Sequence, residues 1–258
     1  MVGQQEDRLN VGATVARYGL IGKPLGHSWS KAYFSEKFER EGLIGHRYDA
    51  FELDDVTELP ALLRDTPGLC GLNVTIPYKQ QVMPLLDAID PMAAAVGAVN
   101  TIAIRDGRTT GHNTDVEGFR SSLLPLLDGE RPRALVFGSG GASRAVVFVL
   151  RELGIRFRVV SRSRERGDLT WDMIEPTIVK ACPLLINTTP LGMAPDIHSA
   201  PPIPYSAIGP RHLLVDLVYN PELTYFLSLG AAQGARTCNG LPMLKAQAEA
   251  SWRVWRAE

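Results

Sequence analysis

One stretch of this sequence carries more structural information than any other: Gly71-Leu72-Asn73-Val74-Thr75-Ile76-Pro77-Tyr78-Lys79. Its apolar residues occupy every second position, which is the period of a half-buried β-strand. Proline cannot donate a hydrogen bond to a ladder, so the strand is predicted to end at Pro77 or to lie at a sheet edge. Thr75 and Lys79 are therefore expected at the end of a strand, where open α/β folds bind ligands.

Strand-like and helix-like patterns alternate outward from this stretch in both directions. The predicted strands are 17–22, 48–53, 71–76 and 98–104, followed after a polar linker at 128–133 by 134–138, 156–161, 184–188 and 212–218. The predicted helices include 30–42, 56–64, 114–127 and 241–256. Such alternation is typical of the α/β class, with helices packed on the faces of parallel sheets.

Composition excludes several classes of function. The chain has 258 residues, 45% of them hydrophobic, and its 27 basic and 28 acidic residues give a net charge of -1. A balanced charge predicts no nucleic-acid partner, and no apolar run approaches the ~20 residues of a membrane helix. The three cysteines make neither a zinc pattern nor a disulfide framework, so we predict a cytoplasmic protein without a metal site.

A glycine-rich turn at 138–142 follows a predicted strand and opens a predicted helix. Glycines let the backbone approach a pyrophosphate, and the amino terminus of a helix favours its charge. The strict dinucleotide pattern fails because position 143 is serine, so a simple tight turn is the alternative. The next strand ends at Ser161, with Arg162, Ser163, Arg164 and Arg166 after it, where an NAD site usually places Asp or Glu directly at the strand tip. A planar guanidinium there favours the 2′-phosphate of NADP, whereas the alternative is a solvated basic loop.

Two serines flank Trp29 just after the first predicted strand. The hydroxyls of Ser28 and Ser30 can donate to a carboxylate without placing a cation in the pocket. Ser30 can also cap the helix that follows, and one hydroxyl can do both. Farther on, Thr114 and Glu117 have the spacing of a capping box, which predicts a helix starting after Thr114.

Further motifs lie in a fixed order along the chain. The amino-terminal half holds YGLIGKPLGHSWS at 18–30, GAVNT at 97–101 and GHNTD at 111–115. The carboxyl-terminal half holds FGSGGASRA at 137–145, INTTPLGM at 186–193, DLVYNP at 216–221 and NGLPML at 239–244. From about Tyr18 to Trp255, this order resembles the shikimate dehydrogenase family.

The resemblance implies a two-domain enzyme. A mixed-sheet substrate domain would comprise 14–117 plus 240–258, and a Rossmann-like NADP domain would comprise 118–239, after a flexible tail at 1–13. The implied activity is the reversible NADPH-dependent reduction of 3-dehydroshikimate to shikimate in aromatic amino-acid (chorismate) biosynthesis, by a monomer or homodimer. Two alternatives are a quinate/shikimate dehydrogenase that uses NAD and a catalytically silent NADP-binding sensor on the same fold. The stretch between 164 and 181 is short for the family's nucleotide domain.

The resemblance also implies a role for each site residue. Lys79 would give a proton to the carbonyl oxygen, and Asp115 would orient it; without the resemblance, Asp115 reads as a first-turn carboxylate favoured by the helix dipole. The implied substrate-binding residues are Ser28, Ser30, Thr75, Asn100, Tyr219 and Gln247. The implied cofactor-binding residues are Gly138, Ser139, Gly140, Gly141, Ala142, Ser161, Arg162, Ser163, Arg166, Thr188, Val218 and Gly240.

Overall fold

Two six-stranded sheets form the frame of the protein. A computed structural model describes residues 16–25 and 29–257; the predicted flexible tail at 1–13 lies outside these ranges. Helices pack on both sheets, which confirms the α/β class. In the two ranges described, no helix is both long and apolar enough to cross a membrane.

The first sheet is mixed. Its strands are β1 (Arg17–Gly22), β2 (Arg47–Glu52), β3 (Leu69–Val74), β4 (Ala88–Ile89), β5 (Thr101–Arg105) and β6 (Arg108–His112), in the spatial order β2-β1-β3-β5-β6-β4. The helices of this half are α1 (Trp29–Arg40), α2 (Leu59–Asp65), α3 (Pro91–Val96) and α4 (Asp115–Leu123). β1 runs parallel to β2 and β3, whereas β5 runs antiparallel to β3 and β6. A turn at Asp106-Gly107 joins β5 to β6, and both residues have positive φ.

The second sheet is parallel throughout. Its strands are β7 (Ala134–Phe137), β8 (Phe157–Ser161), β9 (Leu169–Thr170), β10 (Leu184–Asn187), β11 (Leu213–Asp216) and β12 (Arg236–Cys238), in the order β12-β11-β10-β7-β8-β9. The helices are α5 (Gly141–Glu152), α6 (Pro176–Ala181), α7 (Tyr225–Ala232) and α8 (Leu241–Arg256). The chain leaves β7 in one direction to build β8 and returns to its other side to build β10. Ligands bind at such a switch point, beyond the carboxyl ends of the strands.

Helix α8 returns to the first sheet and corrects the reading of β3. The Trp255 indole lies so close to Gly71 that a Cβ added at Gly71 would be 2.3 Å from the ring. Asn73, on the same face, is also buried. The prediction of a half-buried strand is therefore wrong, because α8 covers the second face. β3 also ends at Val74, two residues earlier than predicted, and Ile76 is 61% exposed.

One core cluster lies where the two halves of the chain meet. One cluster joins α4, α5 and the second sheet, with Phe119, Val146 and Val136 among its fully buried side chains. Met243, in the first turn of α8, packs on the same cluster. Helix α4 therefore contacts elements of both halves, and the boundary predicted at 117/118 cuts through it. The domain limits drawn from the sequence stay a prediction.

Candidate active site

Lys79 and Asp115 form an ion pair at the end of β3. Lys79 lies five residues beyond β3, and Asp115 is the first residue of α4. The Lys79 Nζ atom is 2.6 Å from Asp115 Oδ2, and the two side chains are only 16% and 6% exposed. A pair so sheltered from water holds its geometry far better than a surface ion pair does. The structure thus brings together the two predicted catalytic residues, which are 36 positions apart in the chain.

Asn100 fixes the other oxygen of Asp115. The Asn100 Nδ2 group donates to Asp115 Oδ1 at 3.0 Å and to Thr114 Oγ1 at 2.9 Å. Its Oδ1 atom accepts from the backbone N–H of Thr114 at 2.7 Å. Asp115 therefore accepts one hydrogen bond on each oxygen, from Asn100 and from Lys79. This arrangement sets the rotation of the carboxylate.

The predicted capping box at Thr114 does not form. Thr114 precedes α4 as its N-cap residue but makes no side-chain capping bond. Its hydroxyl instead lies within hydrogen-bond distance of Asn100 and Ser251, and Glu117 pairs with Arg253 of α8. The spacing of Thr114 and Glu117 predicted the start of α4 correctly. It predicted their capping hydrogen bonds wrongly, because both side chains bond to partners from elsewhere in the fold.

Gln247 reaches Asn100 from α8. The Gln247 Oε1 atom is 3.4 Å from Asn100 Nδ2, and its Nε2 group donates to the carbonyl of Leu244 at 3.0 Å. Gly118 makes this approach possible, because a Cβ at that position would be 2.9 Å from the Gln247 Cβ and 2.8 Å from the Met243 carbonyl oxygen. Gln247 therefore lies beside the ion pair, as its predicted role in substrate binding requires.

A buried polar network extends from this site, and sequence reasoning missed it. Asn73 donates to Ser251 Oγ at 2.9 Å and to Thr101 Oγ1 at 3.2 Å, and it accepts from the Tyr48 hydroxyl at 2.8 Å. Ser251 lies within 3.1 Å of Thr114 Oγ1, which closes the path to Asn100. The only signal in the sequence was weak: Asn73 lies two residues before Thr75, and Ser251 one helical turn after Gln247.

The remaining predicted substrate residues are less tightly placed. Ser30 hydrogen-bonds the Tyr48 phenol, whose pKa is raised chiefly by burial. Thr75 is partly buried; its backbone N–H donates to Ile21 O at 2.9 Å, and its side chain packs against Gly22. Tyr219 is half-buried in the loop after β11, and burial raises its pKa. Ser28 lies outside the described residues.

The glycine turn after β7 has the features of a phosphate site. Gly138 has φ of 106°, and a Cβ there would be 2.7 Å from Thr188 Oγ1. Helix α5 follows with Gly140 as N-cap and no side-chain capping bond, so its first N–H groups are free for an anion. The Ser139 and Ser161 hydroxyls are 3.3 Å apart, which joins the turn to the tip of β8. Gly141 and Ala142, the first two residues of α5, are partly exposed.

The tip of β8 presents arginines to solvent. Arg162 and Arg166 are exposed, and no acidic side chain in the described part of the chain pairs with either. The backbone N–H of Ser163 donates to Ser161 Oγ at 3.4 Å, and that of Arg166 to Ser163 O at 3.2 Å. Arg164 instead donates to the sulfur of Met173. The compact loop leaves Arg162 and Arg166 available for a phosphate.

Two further predicted cofactor residues, Val218 and Gly240, lie between β11 and α8. The N–H of Gly240 donates to Val218 O at 3.1 Å, and a Cβ at Gly240 would be 2.1 Å from the carbonyl oxygen of Leu217. Buried Asp216 holds the same loop, because it accepts from the N–H of Val218 and from the Thr224 hydroxyl. Burial raises its pKa to about 6. Gly240 is therefore a position where a side chain cannot fit.

The two halves of the candidate site meet at Gly141. A Cβ added to Gly141 would be 3.1 Å from the Lys79 Cβ and 3.3 Å from its Cδ. The stem of Lys79, the predicted catalytic lysine, thus passes directly over the first turn of α5, at the glycine turn. A nucleotide held there would adjoin the ion pair. In the described ranges, no group of three His, Cys, Asp or Glu side chains could hold a metal ion.

Known proteins are similar in sequence to this chain over nearly its whole length. Residues 20–102 match the family model of the shikimate dehydrogenase substrate binding domain. A shikimate dehydrogenase (NADP(+)) of Oleidesulfovibrio alaskensis is 41% identical over 93% of this chain and 89% of its own length. The chain belongs to the shikimate dehydrogenase family. The relative of the same name from Halothermothrix orenii is 39% identical over 92% of this chain and 89% of its own length.

Solved structures of the family have the same two-domain fold. The shikimate 5-dehydrogenase of Thermus thermophilus, in complex with NADP(H) and shikimate, superposes with a TM-score of 0.83 at 33% identity, covering 93% of both chains. The quinate dehydrogenase of Corynebacterium glutamicum, in complex with NAD, superposes with a TM-score of 0.83 at 29% identity, again covering 93% of both chains. The family and fold class expected from the sequence are confirmed; the roles of individual residues stay predictions.

Proposed function

We propose that this protein catalyses the reversible NADPH-dependent reduction of 3-dehydroshikimate to shikimate, in aromatic amino-acid (chorismate) biosynthesis. One observation carries the proposal: the sheltered Lys79–Asp115 pair adjoins the glycine turn at Gly141. A ketone reductase needs a proton donor beside the nicotinamide site, and this juxtaposition supplies one. The relatives named shikimate dehydrogenase (NADP(+)) support the choice of substrate and cofactor.

The fit of the chain to NADP rests on three local features. The uncapped start of α5 offers free N–H groups to a pyrophosphate. Gly138, at a φ of 106°, makes the tight turn between β7 and α5 that brings the backbone to the predicted pyrophosphate position. The exposed guanidinium of Arg162 can grip a 2′-phosphate through a planar fork. Ser139, Ser161, Ser163, Arg166, Thr188 and Val218 would complete this pocket, together with Gly140, Gly141 and Ala142.

Lys79 would act on the oxygen of the substrate ketone. When bound, NADPH supplies the hydride that reaches the carbonyl carbon. Lys79 would donate a proton to the oxygen as its negative charge develops, which both protonates and stabilises it. Asp115 holds the Lys79 ammonium group in one position through the 2.6 Å contact. The pair would then recover its proton from solvent before the next turnover.

The substrate hydroxyls and carboxylate would be bound by groups on several elements. Asn100 and Gln247 each present an amide beside the ion pair, and an amide can both donate to and accept from a hydroxyl. Thr75 and Tyr219 would contribute further hydroxyls. Ser30 would bind the carboxylate together with Ser28. The Tyr48 phenol donates its own proton to Asn73 Oδ1, so it accepts the hydrogen bond from Ser30 and positions that serine.

A quinate dehydrogenase that uses NAD is the second candidate. The similarity to the Corynebacterium glutamicum enzyme favours it. The tip of β8 weighs against NAD, because Ser161, Arg162 and Ser163 stand where an acidic residue would bind the ribose hydroxyls.

A comparison of substrates and cofactors tests the proposal. The purified protein is assayed for 3-dehydroshikimate reduction with NADPH and with NADH, and for quinate oxidation with NADP and with NAD. We expect the highest kcat/KM with 3-dehydroshikimate and NADPH. A higher kcat/KM for quinate with NAD would replace the proposal by the second candidate, and no turnover with either substrate would refute both.

The cellular setting of the activity is also part of the proposal. Cys70, Cys182 and Cys238 are free thiols, which fits a reducing compartment, and we infer the cytoplasm. We expect a monomer or homodimer with no nucleic-acid partner, since the net charge is -1. Sedimentation velocity measures the assembly state.

A further inference from the structure

Three arginines share one face of the second sheet at its amino-terminal edge. β7 and β8 are parallel, with Ala134 opposite Phe157 and Leu135 opposite Arg158. The N–H of Ala134 donates to the carbonyl of Arg156 at 2.8 Å, so Arg133 and Arg156 lie side by side just before the two strands. Side chains alternate between faces with a period of two. Arg133, Arg156 and Arg158 therefore point to the same side.

These arginines line a pocket. Its volume is about 510 Å³, and its lining residues are Arg133, Ala134, Arg156, Phe157, Arg158 and Cys182. Cys182, which follows the short helix α6, is buried. Burial raises the pKa of its thiol, and the positive charges of Arg133 and Arg158 act against that rise. The pocket is thus lined by three exposed arginines together with Ala134, Phe157 and Cys182.

The protein neutralises the positive charge of the pocket only in part. In the described ranges, neither Arg133 nor Arg156 has an acidic side chain within ion-pair distance, and Arg158 approaches Asp168 only at 3.7 Å. The other oxygen of Asp168 accepts from the backbone N–H of Val159. Positions 131 to 166 hold nine arginines against two glutamates, in a chain whose net charge is -1. Like charges opposite each other on neighbouring strands destabilise a sheet.

The pocket is separate from the candidate cofactor site. The predicted cofactor residues lie at the carboxyl ends of β7 and β8, whereas the three arginines lie at the amino ends. β7 has four residues, Ala134–Phe137, which span roughly 13 Å. A ligand bound to the arginines would therefore not occupy the NADP position. Arg162, at the far tip of β8, belongs to the cofactor site.

We propose that this pocket is a second anion site, which takes a small multivalent oxyanion such as a pyrophosphate or a polycarboxylate. Planar guanidinium groups bind such anions through paired N–H···O bonds. The anion would replace the missing acidic partners and relieve the repulsion between Arg133 and Arg156. Because only the folded chain would bind the anion, the anion would also raise the thermal stability of the protein by mass action.

Thermal unfolding of the full chain with inorganic pyrophosphate tests the proposal. NADP is kept saturating, so that the cofactor site cannot take the probe, and sodium chloride keeps the ionic strength constant. Calorimetric titration under the same conditions gives the stoichiometry. We expect one pyrophosphate per chain and a melting temperature that rises with its concentration. A rise that chloride reproduces at equal ionic strength would overturn the proposal.

Matched variants locate the site. Arg133→Gln and Arg156→Gln should each weaken pyrophosphate binding about tenfold to a hundredfold, the usual effect of one lost charged hydrogen bond. Arg151→Gln is the control, since Arg151 stacks on Phe157 from α5 on the other face of the sheet and carries the same charge. Arg162→Gln should weaken NADP binding and leave pyrophosphate binding intact.

Further variants and a second anion test the location and the selectivity of the site. Pyrophosphate binding that survives the double change of Arg133 and Arg156 would refute the site. If a glutamine variant failed to fold, Arg133→Lys would keep the charge but lose the planar fork, and it should bind with intermediate affinity. If citrate binds as tightly as pyrophosphate, the site takes multivalent oxyanions in general. If pyrophosphate binds more tightly, the site prefers phosphates.

Discussion

Replacing Asp115 by asparagine tests whether the carboxylate works through its two hydrogen bonds. Asp115 accepts from Lys79 at 2.6 Å and from Asn100 at 3.0 Å. An amide in its place has only one accepting oxygen, and its NH2 group must face one of those two donors. One charge-assisted or amide hydrogen bond is therefore lost whichever way the amide turns.

The size of the effect follows from the contact that is lost. A hydrogen bond to a charged group contributes about 1.5–3 kcal/mol, so turnover should fall roughly tenfold to 150-fold for Asp115→Asn. The affinity for NADP should hardly change, because Asp115 adjoins the substrate half of the site. Steady-state kinetics give kcat and KM, and a fluorescence titration gives the dissociation constant of NADP.

A second substitution can repair the first if this reasoning is correct. Asn100→Asp supplies an accepting carboxylate to the NH2 group introduced by Asp115→Asn, and the amide oxygen is then free to accept from Lys79. The double variant should therefore be more active than the product of the two single effects predicts. Activities that simply multiply would refute the hydrogen-bond account. Thermal unfolding of all three variants separates loss of activity from loss of fold.

Four further changes probe the rest of the site. Lys79→Ala should lower kcat by ~10²–10⁴, the usual contribution of a positioned proton donor, with little change in KM; turnover within about tenfold of wild type would exclude that role. Ser30→Ala should raise KM roughly fivefold to 150-fold for the substrate and much less for an analogue without the carboxylate; equal losses would mean that the serine serves the fold. Arg162→Ala should weaken NADP about tenfold to a hundredfold and leave NAD unchanged, as the ratio of the two specificity constants reports. Asp216 is fully buried, and its pKa is raised from 3.8 to about 6, so the free energy of unfolding should fall by about 3 kcal/mol as pH rises from about 3 to about 7. Asp216→Asn should abolish that part of the pH dependence, measured by denaturant unfolding, because an amide does not titrate. The variant should keep its fold, since the Thr224 hydroxyl can turn to accept from the amide. An unchanged pH profile would contradict the raised pKa.

Local pattern predicted most of the regular structure. The first strand and the last helix have the predicted bounds, Arg17–Gly22 and Leu241–Arg256. Four strands of the second sheet, β7, β8, β10 and β11, were predicted within one or two residues, because continuous apolar runs flanked by glycine and proline are a strong signal. The short edge strands β9 and β12 were missed. β6 (Arg108–His112) was missed, since its residues RTTGH carry no apolar alternation. Its pairing with β5 comes from the hairpin turn and not from its own composition.

Local patterns and the order of motifs were enough to predict the fold class, the family and the chemical groups of the site. Lys79, Asp115, Asn100 and Gln247 were all expected there. Their hydrogen-bond partners could not be predicted, because those partners come from distant positions in the chain. Thr114 was expected to cap α4 and instead faces Ser251, 137 positions away. One face of β3 was expected to be exposed to solvent, but Trp255 of α8 covers it. Sequence periodicity reports what one element prefers, whereas burial and hydrogen-bond partners depend on which other element packs against it.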